Sequence, residues 1–149
     1  MNRKLLIKRL LIALVILIIG AGATIWYIFT EKFTDTNKEK AAYTVNAIDL
    51  IKEFQANDSA ANKKYAEKIM VVTGTVTEVE NADTTVNIKL ADTATGSYAI
   101  FAFQQQNLAE AKTIKEGDKV SIKGSCSGGA YSDILETEFI TFKRCALSK

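Results

Sequence analysis

The chain of 149 residues contains no histidine and no proline. Histidine is the commonest general base, the commonest metal ligand and the only side chain that normally titrates near neutral pH, so its absence argues against most acid–base and metal-dependent enzymes. Without proline, no turn has its φ angle set by a pyrrolidine ring and none depends on a cis X-Pro bond. We therefore expect a protein that is not an enzyme.

Metal ligands are also scarce, because the chain has only two cysteines and they lie far apart in the sequence. Asp83, Asp92 and Asp133 lie in separate predicted loops, and their spacing does not match that of a calcium-binding loop. We interpret these three carboxylates as turn residues. The sequence predicts neither a metal site nor a cofactor.

Acidic residues are absent from the first nine positions, which contain four basic residues: Arg3, Lys4, Lys8 and Arg9. Of the 19 Lys and Arg of the chain, 15 therefore remain downstream with all 17 Asp and Glu, which leaves a net charge of −2 there. Non-specific nucleic-acid binding depends on Lys and Arg that neutralise phosphates. A domain with a weakly negative net charge has no overall positive potential that would attract phosphates, so nucleic acid is disfavoured as a partner.

A long apolar run, LLIALVILIIGAGATIWYIF, occupies residues 10–29 without a charge. As a helix it measures about 30 Å, which is the thickness of the hydrocarbon core of a bilayer. Trp26 and Tyr27 lie near its far end, where amphipathic rings favour the headgroup region. We expect a single membrane span, with residues 1–9 in the cytoplasm because of their positive charge and with the C-terminal part outside.

A cleaved signal peptide is the alternative for the same segment. Ala21-Gly22-Ala23 resembles a small-residue processing site after an apolar stretch. Hydrophobicity continues through Phe29, however, which is unusual at the start of a soluble mature chain. The alternatives are an uncleaved anchor in the cell membrane and a secreted or periplasmic domain cut near Ala23.

The pattern of residues 30–149 predicts a linker followed by one domain. Residues 30–42 are polar apart from Phe33 and predict a linker, so that the domain is expected at residues 43–149. Between Tyr43 and Asn57 the apolar residues recur at spacings of three and four, which predicts an amphipathic helix capped by Thr44 or Asn46. A second short helix is expected after Asn57-Asp58.

Alternation of apolar and polar residues then predicts five strands, at residues 68–80, 84–90, 97–103, 119–126 and 138–147. The first contains Gly74 and loses its alternation at Val79, which indicates a bulge or a sharp coil. The third, SYAIFAF, is apolar on both alternating sets and predicts a central strand covered on both faces. A short helix is expected at residues 107–111.

These elements resemble a known family. The residues in question are Tyr43, Leu50, Phe54, Asn57, Ala61, Lys64-Tyr65, Lys68, the VTGTV run of 72–76, the EGDKVSIKGSCSG run of 116–128 and Cys145. The chain is similar over them to the tRNA_anti-like family of OB-fold proteins, although its residues 129–138 are longer than that pattern. The resemblance implies an all-β fold, namely a five-stranded OB barrel with accessory helices that follows an N-terminal transmembrane helix. It also implies an uncharacterised, membrane-anchored bacterial type of protein.

Cys126 and Cys145 allow two interpretations. An even number of cysteines in an exported chain suggests a structural disulfide. A simple hairpin register would separate them, and the Cα atoms of a disulfide must come within about 7 Å. The alternative is that both are small buried hydrophobic residues.

An OB groove that binds a ligand presents exposed aromatic and basic side chains. Phe101 and Phe103 share one face of the third strand and are expected in the core. The remaining candidates for ligand binding are Lys89, Tyr98, Lys123, Tyr131, Lys143 and Arg144.

The function expected from the sequence is a membrane-anchored, extracytoplasmic binding module that contacts a protein, a glycan or a small ligand. Single-stranded nucleic-acid binding is the alternative, which rests on analogy between folds. A structural role in envelope assembly or stress is a further alternative. The sequence identifies none of the ligands.

Overall fold

The structure is a computed structural model that describes residues 3–30 and 34–149. The chain divides after Thr34 into two compact units. Phe33, the one large apolar residue of the predicted linker, lies outside the described residues.

The first unit is one helix, α1 (Arg3–Thr30), of 28 residues. Its most apolar 18-residue window has a mean hydropathy of 2.5, so the helix is long and apolar enough to cross a membrane. The predicted span, residues 10–29, lies wholly within it. A signal sequence near the N-terminus can also form an apolar helix long enough to span, so both alternatives for this segment remain.

The second unit contains seven strands and three α-helices within residues 35–149. In chain order they are β1 (Tyr43–Asn46), α2 (Ala47–Ala56), α3 (Asp58–Tyr65), β2 (Ile69–Thr75), β3 (Glu78–Asn81), β4 (Val86–Ala91), β5 (Tyr98–Phe103), α4 (Leu108–Ala111), β6 (Lys119–Ser132) and β7 (Thr137–Leu147).

All seven strands belong to one sheet in the order β1-β2-β6-β7-β5-β4-β3. The pairs β1–β2 and β5–β7 are parallel and the others are antiparallel. The sheet ends at β1 and β3 and is not closed, so the prediction of an all-β, five-stranded barrel is wrong in its count and in its class. The architecture is mixed α/β and OB-like.

The strand count rises for two reasons. The predicted first strand is divided at Val76 and Thr77. The amide of Val76 donates to the carbonyl of Asp118, just before β6, at 2.9 Å. The amide of Thr77 donates to the carbonyl of Lys89 in β4, also at 2.9 Å. Val76 and Thr77 thus bond to strands on the two sides of β7 in the sheet order, and the predicted break in alternation is a real bend. In addition, residues 43–46 form an edge strand rather than the first turn of the predicted helix.

The helix α2 confirms the predicted apolar stripe, because Ala47, Leu50, Ile51 and Phe54 are all buried. The side chain of Asn46 caps it by accepting a hydrogen bond of 2.9 Å from the amide of Ile48. Helix α3 begins in the same way, with Asn57 as its cap. The stripe packs against the sheet, and the buried residues of the helix and of the strands form one hydrophobic core.

Strands β4 and β5 bury alternate residues. Ile88 and Leu90 of β4 and Phe101 of β5 are buried, and the ring of Phe101 stacks on Phe142 of β7 with centroids 4.6 Å apart. Tyr98 and the residues in phase with it are only half-buried. The expectation that β5 is covered on both faces is therefore wrong, since the described helices cover only one.

The compact unit starts at Asp35, ahead of the expected boundary at Tyr43. Thr36 is fully buried in a short 3-10 turn, and the amide of Ala42 bonds to the carbonyl of Ile69 at 2.7 Å. Residues 35–42 thus pack onto the domain because their backbone finds partners there.

Candidate ligand-binding face

The side of the sheet away from the core carries half-buried side chains of β4, β5 and β7, and we call it the outer face. Residues paired across neighbouring strands point to the same side of a sheet. Tyr98 is paired with Phe139 of β7, and Ile100 is paired with Lys89 of β4. The register therefore assembles Lys89, Tyr98, Ile100 and Phe139 into one surface.

Two aromatic rings form the centre of this surface. The rings of Tyr98 and Phe139 lie nearly parallel, with centroids 6.4 Å apart and an angle of 25° between their planes. The ammonium of Lys89 lies 5.5 Å from the centroid of Tyr98, within the range of a cation–π contact. Both rings keep part of their surface accessible. The pair is thus a flat apolar platform on a rigid sheet.

The charge around Lys89 is more than neutralised. Its Nζ lies 3.1 Å from Oε2 of Glu78 and 2.8 Å from Oε1 of Glu80, and Asn87 also donates a hydrogen bond to Glu80. The hydrogen bond to Glu80 raises the pKa of Lys89, while the same contact and Asn87 lower the pKa of Glu80. Two carboxylates against one ammonium leave a local charge of −1, so this part of the outer face does not attract phosphate groups.

Three of the predicted ligand-binding residues lie elsewhere on β6 and β7. Lys143 lies four residues from Phe139 on β7, which corresponds to about 13 Å along the outer face. Lys123 lies on the same side of β6, donates a hydrogen bond of 3.2 Å to the carbonyl of Asn37, and lines a recess of about 310 Å³. Arg144 occupies a bulge with a positive φ of 53°.

Tyr131 is separate from both groups. It is paired with Glu138, a residue of the buried set, and so points away from the outer face. The six candidates therefore do not form one site: the structure brings together Lys89 and Tyr98 only. Whether any of the six contacts a ligand stays a prediction.

Sequence reasoning missed Phe139, Glu78 and Glu80. In β7, Ile140 and Phe142 alternate with Phe139 and Thr141, so the same period of two that found the core also places Phe139 on the other face. The partners of Lys89 required the pairing of β3 with β4, which sequence alone did not supply.

A polar cluster lies behind the aromatic pair. Glu138, which precedes Phe139, is only 3% exposed, and its amide donates a hydrogen bond of 3.0 Å to Oγ of Ser97. That hydroxyl also accepts one of 2.9 Å from Gln55 of α2. Oε1 of Glu138 has no hydrogen-bond partner. Burial raises the pKa of Glu138, and the charge of Asp58 raises it further.

The structure does not contain the disulfide that was one of the two interpretations of the cysteines. Cys126 and Cys145 are both free and buried, and burial raises the pKa of each thiol. Cys126 is paired with Phe142, whereas Cys145 lies at a bulge beside Gly124, where an added Cβ would meet its sulfur at 2.6 Å. The register separates the thiols, and they act as small buried hydrophobic residues.

The described ranges contain no group of three or more Cys, Asp or Glu that could hold a metal ion. The outer face presents two rings, Ile100 and a small charged network. A cofactor-free binding module therefore stays a prediction.

Solved structures that resemble the chain include the following three. One, a lipoprotein from Klebsiella pneumoniae named for nucleic-acid binding, has a TM-score of 0.55 and 17% identity over 70% of this chain and 91% of its own. The similarity to the other two is weaker. They are a Leishmania major protein named as an aspartyl-tRNA synthetase (TM-score 0.45, 8% identity, 79% and 22% covered) and the asparaginyl-tRNA synthetase of Entamoeba histolytica (0.38, 13%, 70% and 23%).

The Klebsiella structure is similar enough in backbone to support an OB-like fold. No sequence match was found among the curated proteins. The model of the tRNA_anti-like family matches residues 1–137, which is most of the sequence and includes α1. The chain therefore belongs to the tRNA_anti-like family.

Proposed function

We propose that the chain is a membrane-anchored, extracytoplasmic binding module without enzymatic activity. Its ligand contacts the outer face around Tyr98 and Phe139. The observation that carries the proposal is the accessible, nearly parallel pair of rings on a sheet whose other face is the core.

The N-terminal segment supports the anchoring. Helix α1 is long and apolar enough to span a bilayer, and the basic residues at its start favour retention of that end in the cytoplasm. The domain is then exported. Cleavage near Ala23 would release the same domain on the same side of the membrane, and the mass of the mature protein separates the two cases.

The electrostatics of the outer face support a neutral ligand or a cationic one. Lys89 is held by Glu78 and Glu80, and the local charge of −1 repels anions. A sugar ring or an aromatic or aliphatic peptide side chain offers a flat apolar surface without phosphate, and suits two stacked rings. The ligand class that fits is a glycan, a peptide segment or a small neutral molecule.

Nucleophilic catalysis has little support at this face. An activated nucleophile needs a base within hydrogen-bond reach, and the chain has no histidine. Both thiols are buried with raised pKa values, so neither is a ready thiolate. A binding role suits these residues better than a catalytic one.

Single-stranded nucleic-acid binding is the second candidate. Lys123 and Lys143 lie on the same side of β6 and β7, bases stack on exposed aromatic rings, and the Klebsiella protein is named for nucleic-acid binding. The neutralised Lys89 and the net negative charge downstream of the anchor oppose it.

A binding assay on the full chain in nanodiscs separates the candidates. The probes are a labelled chito-oligosaccharide, a labelled peptide with alternating aromatic residues, and a labelled oligothymidine, each measured at low and at high salt. The proposal predicts salt-insensitive binding of a neutral probe that weakens about tenfold, or about 1.4 kcal/mol, in Tyr98→Ala and in Phe139→Ala. Tyr131→Ala, which removes an exposed ring from the other side, is the matched control.

Two results would contradict the proposal. Affinity for oligothymidine that falls steeply with salt would establish the nucleic-acid candidate instead. Binding of a neutral probe with equal strength in all three variants would move the site away from the aromatic pair.

A further inference from the structure

The hairpin that joins β6 and β7 ends in an apolar tip, residues 131–136. Ile134 is 93% exposed, Leu135 is 62% exposed and Tyr131 is 53% exposed. Within residues 34–149 these are the only large apolar side chains with such exposure. Exposed apolar residues that cluster at one place mark an interaction site more often than those scattered singly.

The tip is held in an ordered conformation by its hairpin and by α3. The side chain of Asn62 in α3 donates to the carbonyl of Gly129 at 2.8 Å and accepts from its amide at 2.9 Å. The ladder of β6 and β7 continues to the pair Ser132 and Thr137, and the hydroxyl of Ser132 accepts a hydrogen bond of 3.3 Å from the amide of Leu135. A partner would therefore bind the tip without first having to order it.

The end of the hairpin is acidic as well as apolar. Residues 124–142 contain three carboxylates and no Lys or Arg. Asp133 and Glu136 are exposed on either side of Ile134 and Leu135 in the sequence, and the ion pairs of residues 34–149 include neither carboxylate. The two aliphatic side chains are thus flanked by carboxylates without a cationic partner in the described part of the domain.

Neighbouring segments add to this negative charge. Asp58 lies in the first turn of α3, whereas the basic residues of that helix lie in its last turn. The charge of Asp58 raises the pKa of Glu138 in β7, so a carboxylate approaches the hairpin from the helix. The loop of residues 92–97 contains one Asp and no basic residue. It lies against the hairpin, because a Cβ added at Gly96 would meet Cγ2 of Thr137 at 3.3 Å.

The basic residues of the hairpin lie at its other end. Lys143 is six residues from Thr137, where the ladder meets the tip, which corresponds to about 20 Å along β7. The Debye length is about 8 Å at physiological ionic strength, so a charge at that distance is largely screened. The tip therefore has a local negative potential that the rest of the hairpin does not neutralise.

We propose that the tip is a docking site for a protein segment in which aliphatic residues are flanked by Lys or Arg. The aliphatic residues of such a segment cover Ile134 and Leu135, while its cations meet Asp133 and Glu136. Lys and Arg suit both parts of the tip, because their apolar stems lie along hydrophobic surface and their charged ends stay in water. This docking requires neither the membrane anchor nor the outer face.

Charge makes other occupants of the tip less suitable. A second copy of the chain that paired tip to tip would place Asp133 and Glu136 near the same carboxylates of its partner, and like charges at a contact repel each other. Nucleic acid and anionic lipid have the same sign of charge as the tip. A cationic protein segment is the partner for which the apolar contact and the charge are both favourable.

Fluorescence anisotropy of labelled peptides with the full chain in phosphatidylcholine nanodiscs tests the docking. The probe is a short peptide in which a Leu-Leu pair is flanked by Lys residues. One control peptide carries Glu in place of Lys, and the other carries Ser in place of Leu. Each is measured at low and at high salt, and empty nanodiscs give the background due to lipid.

The proposal predicts that the Lys–Leu peptide binds more tightly than either control peptide. The double change Ile134→Ser and Leu135→Ser should weaken its binding by about tenfold, because the apolar contact is lost. The double change Asp133→Asn and Glu136→Gln should weaken it by about fivefold at low salt and by less at high salt, because exposed charges are screened.

The matched control is the double change Asp83→Asn and Glu116→Gln, which removes the same two kinds of charge from exposed turns outside the hairpin. It should leave the affinity for the Lys–Leu peptide nearly unchanged, and so should Tyr98→Ala on the outer face. The variants of the tip replace exposed side chains, so their melting temperatures should equal that of the wild type, which is the check on folding.

Several results would overturn the proposal. Equal losses in the charge variant of the tip and in its matched control would show attraction to the overall charge of the domain. Equal affinities for the Lys–Leu peptide and its Glu counterpart would show apolar contact without recognition of charge. Failure of the Lys–Leu peptide to bind at low salt would contradict the docking directly.

Two further outcomes would assign the contacts differently. Loss of the Lys–Leu peptide in Tyr98→Ala, with no loss in the variants of the tip, would place this peptide on the outer face. A chain that sediments as a dimer in detergent, and as a monomer after Ile134→Ser and Leu135→Ser, would identify a second copy as the occupant of the tip.

Discussion

At the residue scale, Glu138 is an ionisable side chain that is almost fully buried. Its carboxylate lies behind the aromatic pair, is 3% exposed, and has one oxygen without a hydrogen-bond partner. Burial and the like charge of Asp58 both disfavour ionisation and raise its pKa above 4.5. A buried carboxylate of this kind destabilises the fold whenever it is ionised.

The raised pKa of Glu138 determines how this residue makes stability depend on pH. The pKa of Glu138 is higher in the folded state than in the unfolded state. The contribution of the protonated Glu138 to the free energy of unfolding is therefore complete below the unfolded pKa of 4.5, and it is lost as the pH rises through the folded pKa. Glu138→Gln should therefore melt at a higher temperature than the wild type at pH 7, with a difference that shrinks towards pH 4. One kcal/mol corresponds to about 4 °C for a domain of this size.

Thermal melting followed by circular dichroism between pH 4 and pH 7 measures this difference. Glu116→Gln, the same change in an exposed turn, is the control and should leave the profile of the wild type unaltered. The pKa of Glu80 is lowered, so its ionisation makes stability rise with pH, opposite to the effect of Glu138. The effect of Glu138 is therefore measured only by the difference in melting temperature between Glu138→Gln and the wild type. A difference that is constant over the pH range would mean that ionisation of Glu138 has no effect on stability.

At the scale of elements, the contact of α2 and α3 with β6 positions the long hairpin. Gly128 has a φ of 101°, in the region that favours glycine, and its position leaves room for the side chain of Asn62. At Gly129 an added Cβ would lie 2.6 Å from Cδ1 of Phe54 in α2. The two glycines therefore allow the helices to pack directly on the strand.

Gly129→Ala tests this packing. The new methyl group overlaps Phe54, and the free energy of unfolding should fall by about 1–3 kcal/mol in urea denaturation. Ser127→Ala, at an exposed position of the same strand, should change it little. Combining Gly129→Ala with Phe54→Leu should cost less than the sum of the single changes, because the shorter side chain relieves the overlap. Strict additivity would show that the methyl group acts elsewhere.

At the scale of the whole molecule, the two units differ in what stabilises them. No residue of α1 is buried, whereas the hydrophobic core lies entirely within the second unit. The apolar surface of the helix is covered by no other described part of the chain, and lipid is the environment that would remove it from water if the helix spans a membrane. The domain has its own core and does not need the helix for it.

A chain of residues 34–149 should therefore fold alone. We expect one cooperative thermal transition within a few degrees of that of the full chain in detergent, because every core residue is retained. The shortened chain should remain in solution when vesicles are floated, whereas the full chain should float. A broad, non-cooperative transition in the shortened chain would show that the N-terminal segment contributes to the core.

Local patterns were enough to predict several elements. The apolar run of α1, the three-four spacing of α2 and the alternation of β4 are periods of consecutive residues, and each depends on neighbours that the sequence itself supplies. The caps of α2 and α3 are local for the same reason. Tyr98 was a candidate for ligand binding because Phe101 and Phe103 share a face of the same strand and were expected in the core.

Other features were decided only by the tertiary structure. Phe139 lies beside Tyr98 because β5 pairs with β7, which is distant in sequence. Lys89 lies beside Glu78 and Glu80 because of the register of the hairpin of β3 and β4. A single bulge shifts every later pair of a ladder, so the distance between Cys126 and Cys145 could not be determined from their positions in the chain.

The sequence by itself determined that this protein has an apolar N-terminal helix and one OB-like domain without histidine chemistry, because composition and period are properties of the local chain. Only the tertiary structure decided that the sheet stays open with seven strands, that both thiols are free, and that two rings meet on its outer face. The physical reason is register. Contacts between strands depend on bends and bulges, and their energies arise only after the chain has folded.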